Sequence, residues 1–418
     1  MDSISQNTPS NHVDTARLGD RLMGMAQIGA TPNGGVNRQA LSAEDAAARL
    51  KMMEWAAVYG FSVTTDEIGN LYVRRVGTDP NAAPIMTGSH LDSQPTGGKF
   101  DGAYGVVGGF EALAAIHESG IQTKRPIEVV AWTNEEGSRF QPGCAGSAIF
   151  SGKDRIEDHL DIKDWDGVTV REALKAIFAT APDMPYRAAG GTVDGYIEAH
   201  IEQGPVLEAE AKTIGVVTGI QGATRFVVEI VGEEAHAGTA PLKLRKDALK
   251  SACTIVGALE ELMADPTDTV RFTVGRFDVM PGSPNTVPGR VQFTIDFRHP
   301  DMDTLKRLGT AIQPTCEANA RGCHVSVTQI VDNAPVAFAD SVMDIIRAES
   351  DTLSLPNRDI ASGAGHDAWY MTDLCPTGMI FVPCKGGVSH NEAESATPED
   401  LAAGIRVLAN SLTLLANR

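Results

Sequence analysis

Hydrophobic positions along the chain recur with two different periods, and the changes of period mark the elements. Residues 39–59 (QALSAEDAAARLKMMEWAAVY) are rich in Ala and Leu, and Ser42 followed by Asp45 predicts a helix start. LYVRRV (71–76) reads as a strand, APIMTGSHLD (83–92) as a buried strand running into a loop, and PIEVVAW (126–132) as another buried strand. Residues 104–118 (YGVVGGFEALAAIHE) predict a helix that tolerates several glycines. Strands alternating with helices imply an α/β layer with a mostly parallel sheet, whose chemistry gathers at the carboxyl ends of the strands.

The pattern changes near residue 210. RFVVEIVG (225–232), VRFTVGRFDV (270–279), RVQFTIDFR (290–298) and HVSVTQIV (324–331) read as strands. Residues 246–263 have helical periodicity, and 303–320 read as a helix despite Pro314. The order β-α-β-β-α-β is that of a ferredoxin-like, split βαβ unit. Residues 212–331 are therefore expected to form an inserted α+β domain, and 1–211 with 332–418 a discontinuous α/β catalytic domain. After the insert come a helix at 340–352, a Gly-rich loop, the strand GMIFVP (378–383) and a helix from Thr397.

Composition narrows the class of protein. The 418 residues are 42% hydrophobic and 21% charged, enough for a sizeable core, and a prior of ~150 residues per domain suggests two or three domains. A net charge of −19 lacks the basic footprint of nucleic-acid binding and would repel an anionic membrane. No stretch approaches the ~20 apolar residues of a spanning helix. The first residues (MDSISQNTPSNHVDTARLGD) lack the marks of a secretory signal and read as a loose tail followed by a helix. Six scattered cysteines without a CxxC pair suit a reducing compartment, so a cytoplasmic protein is expected.

Four segments concentrate His, Asp and Glu at or after predicted strand ends. GSHLDSQPTGGKFDG (88–102) offers His90, Asp92 and Asp101, with His90 and Asp92 on one side of an extended backbone. WTNEEG (132–137) offers Glu135 and Glu136, adjacent carboxylates that point in different directions. YIEAHIEQGPVLE (196–208) supplies Glu198, His200, Glu202 and Gln203, and GGVSHNEAE (386–394) supplies His390. Each segment alone reads more readily as a turn or a satisfied core or surface residue. Together they supply imidazoles and carboxylates, the donors of Zn²⁺ and similar ions, in numbers sufficient for two metals bridged by one carboxylate.

With EAHAGTAP, PNTVPGRVQFTIDFRHPD and SGAGHDA, these segments resemble, in order and over nearly the whole chain, the metal-dependent amidase, hydantoinase and carbamoylase family. That family includes N-carbamoyl-L-amino-acid hydrolases, β-ureidopropionase and allantoate amidohydrolase, within the aminoacylase and carboxypeptidase clan. The resemblance implies two divalent ions per subunit, zinc first and otherwise manganese, cobalt or nickel. His90, Asp101 and His200 match the ligands of one ion, and Asp101 bridges to the second, whose other ligands are Glu136 and His390. Glu135 matches the general base and Asp92 the residue that orients His90. His236 matches a transition-state donor, Arg298 and Asn285 the holders of a substrate carboxylate, and Gln203 and Arg225 further substrate contacts. His366, in GAGHDA, stays open between a role in the site and a structural one. The implied reaction is hydrolysis of the ureido bond of an N-carbamoyl-L-amino acid or N-carbamoyl-β-alanine. The implied assembly is a homodimer through the inserted domain, with His236 reaching the partner's centre. The remaining alternatives are allantoate hydrolysis, an aminoacylase or peptidase, and a binding protein that has lost activity; an intact Glu135 argues against the last.

Overall fold

The computed structural model describes residues 7–418, so the tail reading for residues 1–6 lies outside the described residues. The first long helix is Thr15–Ala26, begun by Asp14, whose carboxylate accepts the N–H groups of Ala16 and Arg17. The helix predicted from Ser42 runs Ala43–Tyr59, and the Ser42 hydroxyl accepts the Asp45 N–H at 3.2 Å. Among the described residues no helix is long and apolar enough to cross a membrane.

Two compact units emerge, one built from the chain up to Thr218 and from Phe338 onward, the other from Gly219 to Ala337. The first is an α/β unit on a mixed sheet. Its middle strands lie in the order Ile127–Trp132, Ile85–His90, Gly195–Ile201 and Thr377–Val382, all mutually parallel. Ser62–Thr65 and Leu71–Arg75 extend one edge antiparallel, and Ile214–Ile220 flanks the other. All four middle strands are buried end to end, which is why they read as near-continuous apolar runs instead of alternating ones.

The helix Ala103–Glu118 is buried along almost its whole length, and its glycines have a packing reason. A Cβ on Gly105 would lie 2.5 Å from the Ala199 carbonyl oxygen, and one on Gly108 would lie 2.3 Å from the Ile405 side chain. The strand and the C-terminal helix Pro398–Ala416 approach too closely for any larger residue. Gly88, inside Ile85–His90, has φ +146°, and a Cβ there would meet the Val130 carbonyl.

The second unit is an antiparallel four-stranded sheet in the order His324–Asn333, Gly222–Val231, Arg290–His299, Arg271–Met280. Helices Ala248–Leu262 and Met302–Ala318 pack Ile255, Leu259, Leu308 and Ile312 against Val228, Ile230, Phe293, Ile295 and Phe297. The second helix continues through Pro314. The chain order is β-α-β-β-α-β, interrupted by a short ribbon of Ala235–His236 with Thr286–Val287 and by a 3-10 turn at Leu242–Leu244. The edges of this unit differ from the expected 212 and 331. Ile214–Ile220 hydrogen-bonds Thr377–Val382 in the large sheet, and the last strand runs on to Asn333. Residues 145–180, unread in the sequence, form three helices. The last begins with a capping box between Thr169 and Glu172, a signal that was legible locally.

Candidate active site

The parallel register gathers the chemistry at one end of the large sheet. His90 closes its strand opposite Trp132, and His200 lies opposite Phe381, one residue before the end of each strand. The loops that leave these ends carry Asp92, Asp101, Glu135, Glu136, Gln203 and His390. Several of these loop residues hold left-handed backbone: Asn134 (φ 58°), Gln203 (φ 56°) and His390 (φ 51°). Non-glycine residues adopt it rarely, and it persists where surrounding bonds over-determine it. Asn134 shows how: its side-chain amide donates to the carbonyls of Phe140 and Pro142, closing the turn that presents Glu135 and Glu136.

Asp101 lies at the centre. Its Oδ1 is 3.2 Å from His200 Nε2 and 3.7 Å from His90 Nε2, and its Oδ2 is 3.3 Å from His390 Nε2. His390 Nε2 is also 3.3 Å from Glu136 Oε2. Two donor sets follow, each with ligand atoms within 4.8 Å of one another: His90, Asp101 and His200, and Asp101, Glu136 and His390. One carboxylate is common to both.

The donors are prepared for a cation. His90 Nδ1 donates to the Asp92 carbonyl at 2.8 Å and His200 Nδ1 to the Ile201 carbonyl at 2.9 Å, so both Nε2 lone pairs face Asp101. Burial pushes His90 down to about 4, keeping its imidazole neutral. At His200, burial is outweighed by Asp101, which raises the ring to about 9. The Gly102 N–H, however, approaches His200 Nε2 at 3.1 Å and requires a lone pair there. That lone pair is the one a metal ion would take in place of the Gly102 N–H, and the same ion would attract the Asp101 carboxylate. The surplus of acid points the same way. Burial, with the charges of Asp101 and Asp92, pushes Glu136 up to about 8, and burial with Asp367 and Glu136 pushes Glu135 well above the carboxylate range. Neutral imidazoles do not balance these carboxylates; divalent cations do. The donor groups suit divalent cations.

Glu135 lies beside His90. Its Oε2 is 3.5 Å from His90 Nε2, and the Cys144 thiol lies 3.5 Å from its Oε1. Asp92 is placed differently from the sequence reading. Its carboxylate is 3.9 Å from His90 Nδ1, beyond hydrogen-bond length, and instead accepts the backbone N–H groups of Glu135 (3.2 Å) and Glu136 (3.1 Å). The backbone carbonyl of Asp92 does the orienting of His90. Gln203 is tied to the centre: its Nε2 donates to Asp101 Oδ2 at 2.9 Å and to Ser389 at 3.1 Å, while its buried Oε1 has no partner among the described residues.

Several further neighbours complete the surroundings of the site. Gln94 donates to Glu136 through both its backbone and its side chain. Glu394 accepts the N–H groups of Phe100 and Asp101, fixing the backbone of the shared ligand. Beneath His200, Glu198 accepts from Ser89, Tyr196 and the Ala368 N–H. His366 is buried with its ring 4.6 Å from that of His200, and its Nε2 contacts Ser362. Glu198 and His366 were already candidates in the sequence, His366 open between a site role and a structural one, whereas Gln94 and Glu394 lie within the quoted segments without being singled out.

The remaining candidates lie in the 219–337 unit. His236 and Asn285 are brought together by the short ribbon, where the Ala237 N–H donates to the Asn285 carbonyl at 2.9 Å. His236 is exposed, and its Nδ1 accepts the Gly238 N–H at 3.1 Å, leaving Nε2–H as an outward donor. Arg225 and Arg298 converge on Asp296: Arg225 Nε is 2.6 Å and Arg298 Nε 3.0 Å from its two oxygens. Asp296, two residues before Arg298 and opposite Arg225 in the register, was detectable from strand alternation.

Comparisons with known proteins point to a family. A family model described as peptidase family M20/M25/M40 matches residues 86–413. The chain is 39% identical over 403 residues to an N-carbamoyl-L-amino-acid amidohydrolase of Rhizobium meliloti, covering 96% of each. It is 33% identical over 411 residues to an allantoate amidohydrolase of Bacillus subtilis, covering 95% of this chain and 97% of that one. The crystal structure of an amidase of the hydantoinase/carbamoylase family from Burkholderia multivorans matches with a TM-score of 0.92 at 46% identity, covering 97% of this chain and 98% of that one.

Proposed function

The chain belongs to peptidase family M20/M25/M40, among its hydantoinase/carbamoylase amidases, and from that membership we propose that it hydrolyses the ureido bond of an N-carbamoyl-L-amino acid. The products are the amino acid, carbon dioxide and ammonia. The observation that carries this reading is the shared Asp101, with His90 and His200 on one oxygen and His390 on the other, beside Glu135.

His90, Asp101 and His200, and Asp101, Glu136 and His390, would hold two divalent ions, which when bound would supply Lewis acidity at the ureido carbonyl and lower the pKa of the attacking water. Zinc fits this nitrogen–oxygen donor set, as do manganese, cobalt and nickel. Glu135 takes the proton of the attacking water and returns it to the leaving nitrogen. Asp92 keeps Glu135 in place through its backbone. Gln203, its amide nitrogen engaged with Asp101, offers its unpartnered Oε1 to a ureido N–H. From the 219–337 unit, the His236 Nε2–H stabilises the developing oxyanion. Arg298 bonds the substrate carboxylate through its fork, with Asn285 and Arg225 as further contacts. The same unit serves as lid and dimer interface of a homodimer in which His236 reaches the partner's centre.

Allantoate shares the ureido and carboxylate groups, so substrate choice needs a direct test. Ammonia release is measured from N-carbamoyl-α-amino acids, N-carbamoyl-β-alanine, allantoate and dipeptides with the metal-loaded protein. The expected result is fastest turnover of an N-carbamoyl-L-amino acid. Preferential turnover of allantoate, or cleavage of the dipeptides alone, overturns the assignment.

A further inference from the structure

The 219–337 unit contains a cavity that plays no part in the proposed hydrolysis. Its volume is about 450 Å³, and Leu242, Lys243, Arg245, Asp247, Lys250 and Arg321 line it. Four of the six are cationic and one is acidic, a local net charge of +3 in a chain of net charge −19. A concave surface lined mainly by one sign of charge focuses its potential and attracts ions of the opposite sign.

Nothing within the protein supplies enough negative charge. The Asp247 carboxylate is engaged at the start of helix Ala248–Leu262, where it accepts the Lys250 N–H at 3.0 Å. The adjacent Lys246 is neutralised by Glu233, but Glu233 is absent from the lining. Lys243, Lys250 and Arg321 are exposed and have no acidic partner among the described residues. Arg321 also sits at φ 49°, a left-handed position where glycine or asparagine is the less strained choice. Arg245 is anchored differently: it donates to the carbonyls of Ala240 (2.9 Å) and Ala237 (2.6 Å), in the loop that begins at His236. Leu242, 72% exposed, and the neighbouring Leu244, 75% exposed, give the rim an apolar side.

We propose that this cavity binds a small diphosphate-bearing metabolite. Three negative charges of a diphosphate monoester at neutral pH match the local +3. Arg321 provides a planar fork for the phosphate oxygens, and Lys243 and Lys250 provide mobile point charges. Asp247 limits the charge the cavity can hold, so a triphosphate is the poorer fit. Arg245 joins the bound anion to the His236 loop.

The test is calorimetric titration of the metal-loaded full chain with inorganic pyrophosphate and with ADP. It is run on the wild type, on the Lys250→Glu/Arg321→Glu double variant, on Lys243→Glu and on Glu136→Gln. The wild type and Glu136→Gln should bind one equivalent per chain with the same affinity. Each charge reversal should weaken binding about tenfold or more, the effect of losing a charged hydrogen bond. Lys243→Glu, in an exposed loop, keeps the test valid should the double variant fail to fold. ADP binding at least as tight as pyrophosphate identifies a nucleotide; pyrophosphate alone identifies the free diphosphate. Absence of binding to the wild type, affinity unchanged by the reversals, or binding lost only in Glu136→Gln, which places the anion on the metal site, overturns the proposal.

Discussion

Asp92→Asn separates two ways in which a buried carboxylate can serve the site. The side chain is 3% exposed, and each of its oxygens accepts one N–H, from Glu135 at 3.2 Å and from Glu136 at 3.1 Å. Asparagine keeps one acceptor and turns an amide NH₂ toward the other N–H, so one buried donor loses its partner. That costs about 1–3 kcal/mol, and the lost charge assistance adds to it. The turn carrying Glu135 must then move, and displacement of a general base on the order of 1 Å lowers kcat by about 10²-fold. Because His90 is oriented by the Asp92 carbonyl, which the substitution retains, metal at the His90–His200 set should stay bound. The assay combines a urea titration, steady-state kinetics and metal analysis on the same preparation. A variant of normal stability that loses metal from the His90 side, and its turnover with it, would refute the reasoning and return the carboxylate to the role of orienting His90.

Other substitutions probe neighbouring parts of the account. Glu135→Gln should hold metal nearly normally and lose on the order of 10²–10⁴ in kcat, whereas Glu136→Gln should lose one metal equivalent; metal analysis with kinetics would expose a reversed assignment. Arg298→Lys keeps the charge without the fork, so KM for an N-carbamoyl amino acid should rise about ten- to a hundredfold while an uncharged amide analogue is unaffected. Equal losses on both substrates would make Arg298 structural. Burial raises Asp296, but hydrogen bonds from Arg298 and Arg225 outweigh it and hold the carboxyl below its ordinary range. Its folded-state value is depressed, so its contribution to stability is present above the ordinary carboxylate range and is lost as pH falls through it. Melting temperatures of the wild type and Asp296→Asn should therefore differ at pH 7 and converge in acid; a constant difference contradicts the pairing.

What could be read from the sequence was what depends on short stretches. His90, Asp101, Glu135, Glu136, His200 and His390 sit at or just beyond apolar runs whose burial makes them conspicuous, and the parallel sheet brings those runs side by side. What escaped depends on contacts between distant segments. Glu394 lies within a quoted motif, yet its partners are the N–H groups of Phe100 and Asp101, some 290 positions away. The glycines of Ala103–Glu118 look like helix defects until Ala199 and Ile405 are placed against them. The strand Ile214–Ile220 was given to the insert because no local pattern says that its partner is Thr377–Val382. Asp92 was read as the residue that orients His90, but its side chain bonds the next loop and not the histidine two residues away.

The central claim is that the Asp101-centred donor set binds the ions that make this chain a carbamoyl-amino-acid hydrolase. The most direct measurement is ammonia release from an N-carbamoyl-L-amino acid before chelation, after chelation with metal content determined, and after addition of Zn²⁺, Mn²⁺, Co²⁺ or Ni²⁺. Circular dichroism at each stage confirms that the chain stays folded. The account predicts that turnover disappears with the metal and returns on its replacement. Full turnover by a preparation shown to be free of metal would contradict it.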